Sequence, residues 1–458
     1  MTIREYLDSV QNKKITVLGI GVSNKPLIRM LAAAGARVTA HDRKNREQMG
    51  ETAAELEALG VRLVLGPDYL EGIDGEQVFR TPGMRPDLPQ LEAARARGAQ
   101  VTSEMEVFFR VCPCPIIAVT GSDGKTTTTT IISELLKAAG KTVWLGGNIG
   151  TPLLDKAGDM KTEDVCVLEL SSFQLMTMDR SPAVAVITNL APNHLDVHKD
   201  MAEYVDSKRN VFRHQESTGL LVLNADNDIT ASMIGEQKGA LRLFSRQSKP
   251  ENGAWLDEAG NLMDTQRGLI LHKDEIRLPG LHNVENFLAA FAAVRDFVSP
   301  EVMARVARTF GGVEHRIEFV RELDGVRYYN DSIASSPSRT IAGLRSFPKK
   351  VILIAGGYDK HIPFDVLGPE ITEHVKYMAL CGVTAEKIRA AVESAPDYAP
   401  GAPEMEQFDN LTAAIAACRE QAQPGDVVLF SPACASFDQF PNFMARGKFF
   451  KEVVNNFN

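Results

Sequence analysis

The segment TGSDGKTT (residues 120–127) carries the residue types that bind phosphate groups. Its glycines allow backbone N–H groups to turn towards an anion, and a helix that starts there adds the positive end of its dipole. Lys125 can reach β- and γ-phosphates, and the Thr126 hydroxyl can bind Mg²⁺. Val119 stands where the full G-x-x-x-x-G-K-[ST] pattern needs glycine, so a chance Gly-Lys-Thr turn is the alternative. The segment predicts a triphosphate-binding loop.

Two further side chains fall where a magnesium ion beside this loop would need ligands. Glu169 ends the apolar run VCVLE (165–169), and His194 lies in the polar loop after AVAVITN (183–189). Ligands of an open parallel sheet bind beyond the carboxyl ends of its strands, and a carboxylate there can bind Mg²⁺. The alternatives are a glutamate that caps a helix and an ordinary surface histidine.

Lys208 is expected on the buried face of a helix. The stretch DMAEYVDSKRNVFRH (200–214) has its apolar residues at helical spacing, and Lys208 falls on the same stripe. A buried ammonium is costly unless it is paired or loses its proton. Near Mg²⁺, a neutral amine could react with CO₂ and give a carbamate that binds metal. A lysine whose ammonium reaches solvent, or pairs with a phosphate, is the alternative.

A second nucleotide-binding pattern stands near the N-terminus. The strand KITVLGI (14–20), a helix near residues 25–34 and the strand RVTAHD ending at Asp42 form a βαβ unit. In the turn GIGVSN, Asn24 replaces the third glycine of G-x-G-x-x-G. A tight turn that binds no ligand is the alternative.

These elements must be positioned by parallel sheets, because β-branched runs alternate with amphipathic helical stretches along the chain. With 458 residues, we predict an α/β protein of three domains. A Rossmann-like domain would occupy residues 1–112, a P-loop ATPase-like domain residues 113–312 and a second Rossmann-like domain residues 313–458. The proline-flanked VCPCP (111–115) is the first expected linker.

Composition excludes several classes of protein. The net charge of −9 argues against a nucleic-acid-binding surface. The N-terminal stretch MTIREYLDSVQNKK has no apolar core, and no run reaches the ~18 apolar residues of a membrane span. We therefore expect a cytoplasmic protein without membrane insertion. Cys112 and Cys114 have no second Cys/His pair nearby in the sequence, so we expect no zinc site from them.

Several motifs together resemble the Mur ligase family. In chain order they are TGSDGKTT, LELSSFQL, NLAPNHLD, the lysine at 208, LHNVEN, EHR, NDSIASSP and SPACASFDQF. LSSFQL and SPACASFDQF are most similar to the D-glutamate-adding branch of that family. Folylpolyglutamate synthase shares the central and C-terminal architecture but lacks a first domain of the GIGVSN type.

The resemblance implies the role of each site residue. The implied ATP-binding residues are Gly121, Ser122, Asp123, Gly124, Lys125, Thr126, Thr127, Thr128, Asn283, Asn286, Arg316 and Asp331. The implied magnesium ligands are Thr126, Glu169, His194 and a carbamylated Lys208, and the implied catalytic residues are Lys125, His194 and Lys208. The implied residues for the UDP-linked substrate are Gly19, Gly21, Ser23, Asn24, Asp42, Thr81, Gly83 and Asn148. The implied D-glutamate-binding residues are Ser335, Lys360, Ser436 and Phe443.

The reaction implied by the resemblance joins D-glutamate to UDP-N-acetylmuramoyl-L-alanine through an acyl phosphate, with ATP and two Mg²⁺ ions. The small molecules would be the only partners, and the protein would act as a monomer. Two residues depart from the family pattern. Asp123 puts a carboxylate in the phosphate loop, which is unfavourable unless it faces metal or solvent, and Ile333 stands where some D-glutamate-adding enzymes carry lysine.

Three other functions stay open at this point. A sister ligase of the same family would use another amino acid. A nicotinamide-dependent oxidoreductase would use GIGVSN and Asp42, but it would leave GSDGKTT unexplained. A regulatory P-loop protein would hydrolyse nucleotide as a switch.

Overall fold

The computed structural model describes residues 1–192 and 197–457. Within those ranges the strands form three sheets, of five, nine and six strands. The chain divides into two compact units. Unit 1 comprises Met1–Lys273 and Val284–Val306, and unit 2 comprises Asp274–Asn283 and Ala307–Asn458. The predicted α/β class is confirmed.

The five-stranded sheet of unit 1 is parallel throughout, in the order β3-β2-β1-β4-β5. Its strands are β1 (Lys14–Leu18), β2 (Arg37–Asp42), β3 (Arg62–Leu65), β4 (Gln77–Arg80) and β5 (Gln100–Thr102). The helices along this part of the chain are α1 (Ile3–Val10), α2 (Asn24–Ala33), α3 (Arg46–Met49), α4 (Glu51–Ala58), α5 (Pro89–Ala96) and α6 (Glu104–Val111). The predicted βαβ unit is confirmed, because β1, α2 and β2 follow one another and the two strands pair in parallel.

The nine-stranded sheet of unit 1 has the order β14-β13-β12-β11-β10-β9-β6-β8-β7. Its strands are β6 (Ile116–Thr120), β7 (Val143–Gly147), β8 (Val165–Glu169), β9 (Val184–Ile187), β10 (Leu220–Asn224), β11 (Ala240–Ser245), β12 (Gly253–Leu256), β13 (Asn261–Asp264) and β14 (Gly268–His272). The helices along this part are α7 (Lys125–Ala138), α8 (Ser172–Leu175), α9 (Met201–Arg213), α10 (Asp228–Ala231), α11 (Leu281–Val294) and α12 (Pro300–Thr309), with 3₁₀ turns at Leu154–Lys156 and Lys273–Glu275. Strands β12 to β14 pair antiparallel, which the prediction of parallel sheets missed.

The six-stranded sheet of unit 2 has the order β15-β16-β20-β17-β18-β19. Its strands are β15 (Glu318–Leu323), β16 (Val326–Asn330), β17 (Val351–Ala355), β18 (Val375–Cys381), β19 (Glu404–Phe408) and β20 (Val427–Phe430). Its helices are α13 (Pro337–Leu344), α14 (Leu367–His374), α15 (Ala385–Glu393), α16 (Leu411–Gln421) and α17 (Phe443–Asn455). Only the edge pair β15 and β16 is antiparallel among the described strands of this sheet.

Local sequence explains where the helices that carry site residues begin and end. The Asp200 side chain accepts a hydrogen bond from the Glu203 backbone and caps α9. Glycine is needed at position 140, just beyond α7, because its φ is +83°. Strand β4 of the five-stranded sheet, β6 and β8 of the nine-stranded sheet and β17 of the six-stranded sheet are buried at every residue, as inner strands of parallel sheets covered by helices require. Among the described residues, no helix combines the length and apolar character needed to cross a membrane.

Candidate active site

The loop predicted to bind phosphate (residues 121–124, here called the phosphate loop) lies between the carboxyl end of β6 and the start of α7. Gly121 has a φ of +148° and Gly124 a φ of +77°, conformations that side chains other than glycine rarely adopt. A Cβ on Gly124 would collide with Oδ1 of Asn286, and one on Gly121 would collide with Thr188. Both glycines are therefore required by conformation and by space.

Residues that follow β9 brace this loop. The Asp123 backbone N–H donates to Oδ1 of Asn189 at 2.9 Å, and the Thr188 hydroxyl donates to the Asp123 carbonyl at 2.5 Å. The Ser122 hydroxyl donates to the Ala191 carbonyl at 2.9 Å. Asp123 itself is exposed, so its carboxylate faces solvent as the sequence required.

Glu169 stands beside the loop with both carboxylate oxygens engaged. The Thr126 hydroxyl donates to Oε2 at 2.7 Å, and the Asn148 amide donates to Oε1 at 2.8 Å. Glu169 is only 2% exposed. The structure thus places Thr126 and Glu169, two of the four predicted magnesium ligands, in direct contact. It places Asn148, predicted for the UDP-linked substrate, in the same group.

Lys208 and Lys125 both reach the carboxyl end of β6. Lys125 Nζ donates to the Ser122 carbonyl at 2.8 Å. Lys208 is 2% exposed on α9, and its Nζ donates to the Thr120 hydroxyl at 3.1 Å. The Tyr204 ring lies 4.9 Å from Nζ of Lys208. The predicted buried position of Lys208 is confirmed, and the alternative of an ammonium that reaches solvent is wrong.

The charge state of Lys208 follows from these surroundings. Burial holds the pKa of Lys208 well below its usual value, and the positive charge of Lys125 lowers it further. The Glu169 carboxylate opposes both effects. The lowered pKa favours the neutral amine, which is a nucleophile.

The histidine that the sequence singled out, His194, lies outside the described residues. A second histidine of the same loop region, His198, was missed. It is 3% exposed, its Nε2 lies 2.9 Å from the Ser172 hydroxyl, and its ring stacks on Phe173 at 5.2 Å. No spacing in the sequence distinguishes it, because its partners come from the loop and helix that follow another strand.

The two asparagines of LHNVEN have different partners. Oδ1 of Asn286 accepts a hydrogen bond from the Thr128 hydroxyl at 3.2 Å, so Asn286 contacts α7 directly behind the phosphate loop. Nδ2 of Asn283 donates to the Pro279 carbonyl at 2.5 Å. Helix α11 begins at Leu281, so Asn283 lies in its first turn. Thr127 is buried in α7 as well.

The turn after β1 is held by the residues predicted for the UDP-linked substrate. Oδ2 of Asp42 accepts a hydrogen bond from the Ile20 backbone at 2.7 Å, and Nδ2 of Asn24 donates to the Gly19 carbonyl at 2.9 Å. Gly19 has a φ of +88° and packs against Thr81. The turn lacks a third glycine, and the Asn24 side chain stabilises it instead through its hydrogen bond to the Gly19 carbonyl. Gly21 and Gly83 are exposed, and Ser23 is half-buried.

Two arginines connect the loop after β4 to elements of the nine-stranded sheet. Arg80 is 1% exposed and donates to the Thr177 hydroxyl at 2.7 Å. Arg85 forms an ion pair with Glu203 of α9 at 2.9 Å and a second one with Asp87 at 2.8 Å. The two carboxylates raise the pKa of Arg85, so it stays charged. These contacts fix the Thr81–Gly83 turn relative to α9.

In unit 2, Asp331 follows β16 and is 3% exposed. Its Oδ2 accepts a hydrogen bond from the Ser431 hydroxyl at 2.7 Å, and its Oδ1 accepts one from the Ile317 backbone at 3.2 Å. Burial raises the pKa of Asp331 to about 7, although Ser431, Ile317 and the charge of Arg316 lower it. Arg316 and Asp331, both predicted for the nucleotide, are thus neighbours.

Of the residues predicted for D-glutamate, Ser335, Lys360 and Ser436 lie in loops after strands of unit 2, and Phe443 begins α17. Nζ of Lys360 lies 3.4 Å from the Ser335 carbonyl and 3.5 Å from its hydroxyl. Lys360 is exposed, and its loop joins the one after β20 through the Tyr358 backbone N–H, which donates to the Ala435 carbonyl at 3.0 Å. Ser436 is the next residue and is buried.

Arg446, which the sequence did not single out, holds these loops together. Its guanidinium donates to the carbonyls of Ser332, Cys434 and Ala435 at 2.8 to 2.9 Å and to the Ser332 hydroxyl at 3.1 Å. Ser332 in turn donates to the carbonyl of Phe443 at 2.8 Å. An arginine in the first turn of a helix gives no signal of this role in the sequence.

Comparison with known proteins relates both units to one family. The profile of the Mur ligase middle domain matches residues 119–294, and that of the Mur ligase, glutamate ligase domain matches residues 315–434. The chain is 52% identical to the UDP-N-acetylmuramoylalanine--D-glutamate ligase of Clostridium novyi over 457 residues, which cover 99% of each chain. It is also 52% identical to the protein of that name from Acetivibrio thermocellus over 459 residues, 99% of this chain and 98% of the other.

A solved structure shows the same fold at lower identity. The UDP-N-acetylmuramate-alanine ligase of Thermotoga maritima aligns with 97% of this chain and 99% of its own, with a TM-score of 0.58 and 18% identity.

Proposed function

Because this chain belongs to the Mur ligase family, we propose that it is an ATP-dependent ligase that adds D-glutamate to UDP-N-acetylmuramoyl-L-alanine in peptidoglycan synthesis. The reaction proceeds through an acyl phosphate and gives ADP and phosphate. The observation that carries the proposal is the group formed by Thr126, Glu169, Lys125 and Lys208 around a glycine loop at one end of the nine-stranded sheet. The full-length identity to D-glutamate ligases supports the choice of amino acid.

The work is divided among three domains in this proposal. Residues 1–112 bind the UDP-linked substrate, residues 113–312 bind ATP and residues 313–458 bind D-glutamate. The turn held by Asp42 and Asn24 and the Thr81–Gly83 turn supply the first of these sites. Ser335, Lys360, Ser436 and Phe443 supply the last, with the Lys360 ammonium attracting a carboxylate of the amino acid.

The residues beside the phosphate loop fit a magnesium ion. Thr126 and Glu169 present hard oxygen atoms 2.7 Å apart, which is the ligand type that Mg²⁺ takes. The ion would neutralise charge on the phosphate being transferred. Lys125 at the start of α7 holds the β- and γ-phosphates, and the two glycines keep the backbone N–H groups directed at them. The substrate carboxylate attacks the γ-phosphorus, and the amine of D-glutamate then displaces phosphate.

Lys208 is proposed to act as a carbamate. Its neutral amine forms an N–C bond to CO₂ and releases one proton, which leaves an anionic carboxylate on Nζ. The charge of Lys125, which disfavours an ammonium at Lys208, favours an anion there. Such an anion would serve as a further magnesium ligand with His194.

An amino-acid panel tests the proposed reaction. ADP release is measured with ATP, Mg²⁺ and UDP-N-acetylmuramoyl-L-alanine in the presence of D-glutamate, L-glutamate, a diamino acid or D-alanyl-D-alanine. Turnover is expected with D-glutamate alone. Turnover with another member of the panel would assign a sister ligase, and ATP hydrolysis without any amino acid would assign a nucleotide switch.

A spectroscopic experiment tests the carbamate separately. Wild-type protein in ¹³C-bicarbonate should give a carbamate NMR signal that Lys208→Ala removes and Lys141→Ala, at an exposed lysine, retains. Lys208→Ala should also lose nearly all activity, with partial recovery when a short carboxylic acid enters the cavity. A Lys208→Ala enzyme with wild-type turnover would overturn the ligand role.

A further inference from the structure

Three cysteines meet at the end of the nine-stranded sheet opposite the phosphate loop. Cys112 directly follows α6, Cys114 lies in the linker before β6, and Cys166 is the second residue of β8. The Cys166 backbone N–H donates to the Pro115 carbonyl, which draws the linker onto β8. The sequence pointed to a pair without partners, because Cys166 is more than fifty residues away along the chain.

The sulfur atoms form a nearly equilateral triangle. The Sγ–Sγ distances are 3.7 Å between Cys112 and Cys114, 3.6 Å between Cys112 and Cys166, and 3.4 Å between Cys114 and Cys166. Three thiolates bound tetrahedrally to one ion at about 2.3 Å stand about 3.8 Å apart. A shift of a few tenths of an ångström in each side chain therefore brings all three sulfurs to bonding distance of one ion.

The surroundings suit a soft cation. Sδ of Met160 lies 3.7 Å from the Cys166 sulfur, so a fourth sulfur borders the triangle. Cys114 and Cys166 are buried, while Cys112 is half-buried and gives access from solvent. The neighbouring carboxylate of Asp164 adds negative charge next to Cys114.

The three thiols are close enough to hydrogen-bond to one another. Hydrogen bonds from Cys112 and Cys166 lower the pKa of the Cys114 thiol, and the same interactions raise the pKa of the other two. A bound cation would stabilise all three sulfurs as thiolates, because its positive charge replaces the protons that they release.

We propose that Cys112, Cys114 and Cys166 form a binding site for a thiophilic closed-shell cation, Zn²⁺ or Cu⁺. Each thiol releases its proton to solvent, three sulfur–metal bonds form and the ligands of the incoming ion leave, with no change of oxidation state. Strand β6 separates this site from the phosphate loop by about 17 Å, five residues at about 3.3 Å each. The ion joins the end of α6 and the linker to β8, so it stabilises unit 1 rather than taking part in ligation.

The test adds Zn²⁺, or Cu⁺ without oxygen, to the reduced, metal-free full-length protein. Equilibrium dialysis with elemental analysis should give one ion for each chain, with thiolate-to-metal absorption and a higher unfolding temperature. Cys112→Ala, at the least buried position, and Cys166→Ala should each weaken binding at least about tenfold. Cys418→Ala removes a buried cysteine of unit 2 and should bind as the wild type does.

Competition with a chelator selective for each ion shows whether the site retains Zn²⁺ or Cu⁺. Retention of Cu⁺ alone indicates a three-coordinate site, and retention of Zn²⁺ indicates a fourth ligand from solvent. No binding of either ion would overturn the proposal. Binding that persists in both Cys112→Ala and Cys166→Ala would also overturn it. The proposal would fail as well if the three cysteines lost their free thiols in air only by forming a disulfide with one another.

Discussion

Asp331→Asn is expected to stabilise unit 2 at neutral and alkaline pH but not in acid. Burial raises the pKa of Asp331 from its ordinary 3.8 to about 7. The folded protein therefore holds this proton more tightly than the unfolded chain does. The contribution of Asp331 to the stability of unit 2 is therefore greatest below pH 4 and is lost as the pH rises to about 7.

The size of the effect follows from the two pKa values. Each tenfold change in proton affinity is worth about 1.4 kcal/mol, so ionising Asp331 costs up to about 4 kcal/mol. Asparagine has the same shape, cannot ionise and still accepts from Ser431 or the Ile317 backbone. The variant should therefore gain up to about 4 kcal/mol over the wild type between pH 4 and pH 8.

Hydrogen exchange of the β16 and β20 amides measures this gain in the unit concerned. Comparing variant and wild type at equal pH cancels the intrinsic exchange rates. Ser431→Ala is the companion variant, because it removes a hydroxyl that lowers the pKa of Asp331. Ser431→Ala should raise the pKa of Asp331 further, so the loss of stability should extend to a higher pH than in the wild type. An advantage of Asp331→Asn that is the same at pH 5 and pH 8 would refute the reasoning.

Three further predictions concern the other parts of the site. Glu169→Gln keeps an acceptor for Thr126 but loses the charge, so calorimetry should show weaker binding of Mg²⁺-ATP and little change for ATP without metal. Gly124→Ala strains a φ of +77° and collides with Asn286, so ATP affinity should fall at least about tenfold; unchanged affinity would contradict the close packing. Arg446→Met leaves buried carbonyls unsatisfied and should destabilise unit 2 by about 3 kcal/mol or more. In steady-state kinetics, the variant should raise the KM for D-glutamate more than the KM for ATP.

The sequence predicted those parts of the fold that repeat a local rule. Strand β8 was predicted at its observed bounds, because its apolar run follows Asp164 and ends at Glu169. Lys208 was found because helical spacing alone decides which face of α9 is buried. The resemblance to the Mur ligase family rested on such local motifs and is confirmed.

Features that depend on distant pairing were not accessible in the same way. Arg446 acts through backbone carbonyls, and its partners cannot be predicted from residue types because every residue has a carbonyl. The contact of Asn148 with Glu169 joins the ends of two strands whose neighbourhood is set by the order of the sheet. The antiparallel strands β12 to β14 were missed because their short runs resemble those of parallel strands.

The double ion pair of Arg85 bears on any attempt to build chimeras between ligases of this family. Arg85 anchors the loop after β4 to Glu203, in the first turn of the helix that carries Lys208 five residues later. That helix has 13 residues and a length of about 20 Å without a break. A first domain from another ligase that lacks a cation at position 85 would remove the ion pair at the N-terminal end of the helix. The Lys208 amine would then shift. Partners at positions 85 and 203 would have to be exchanged together.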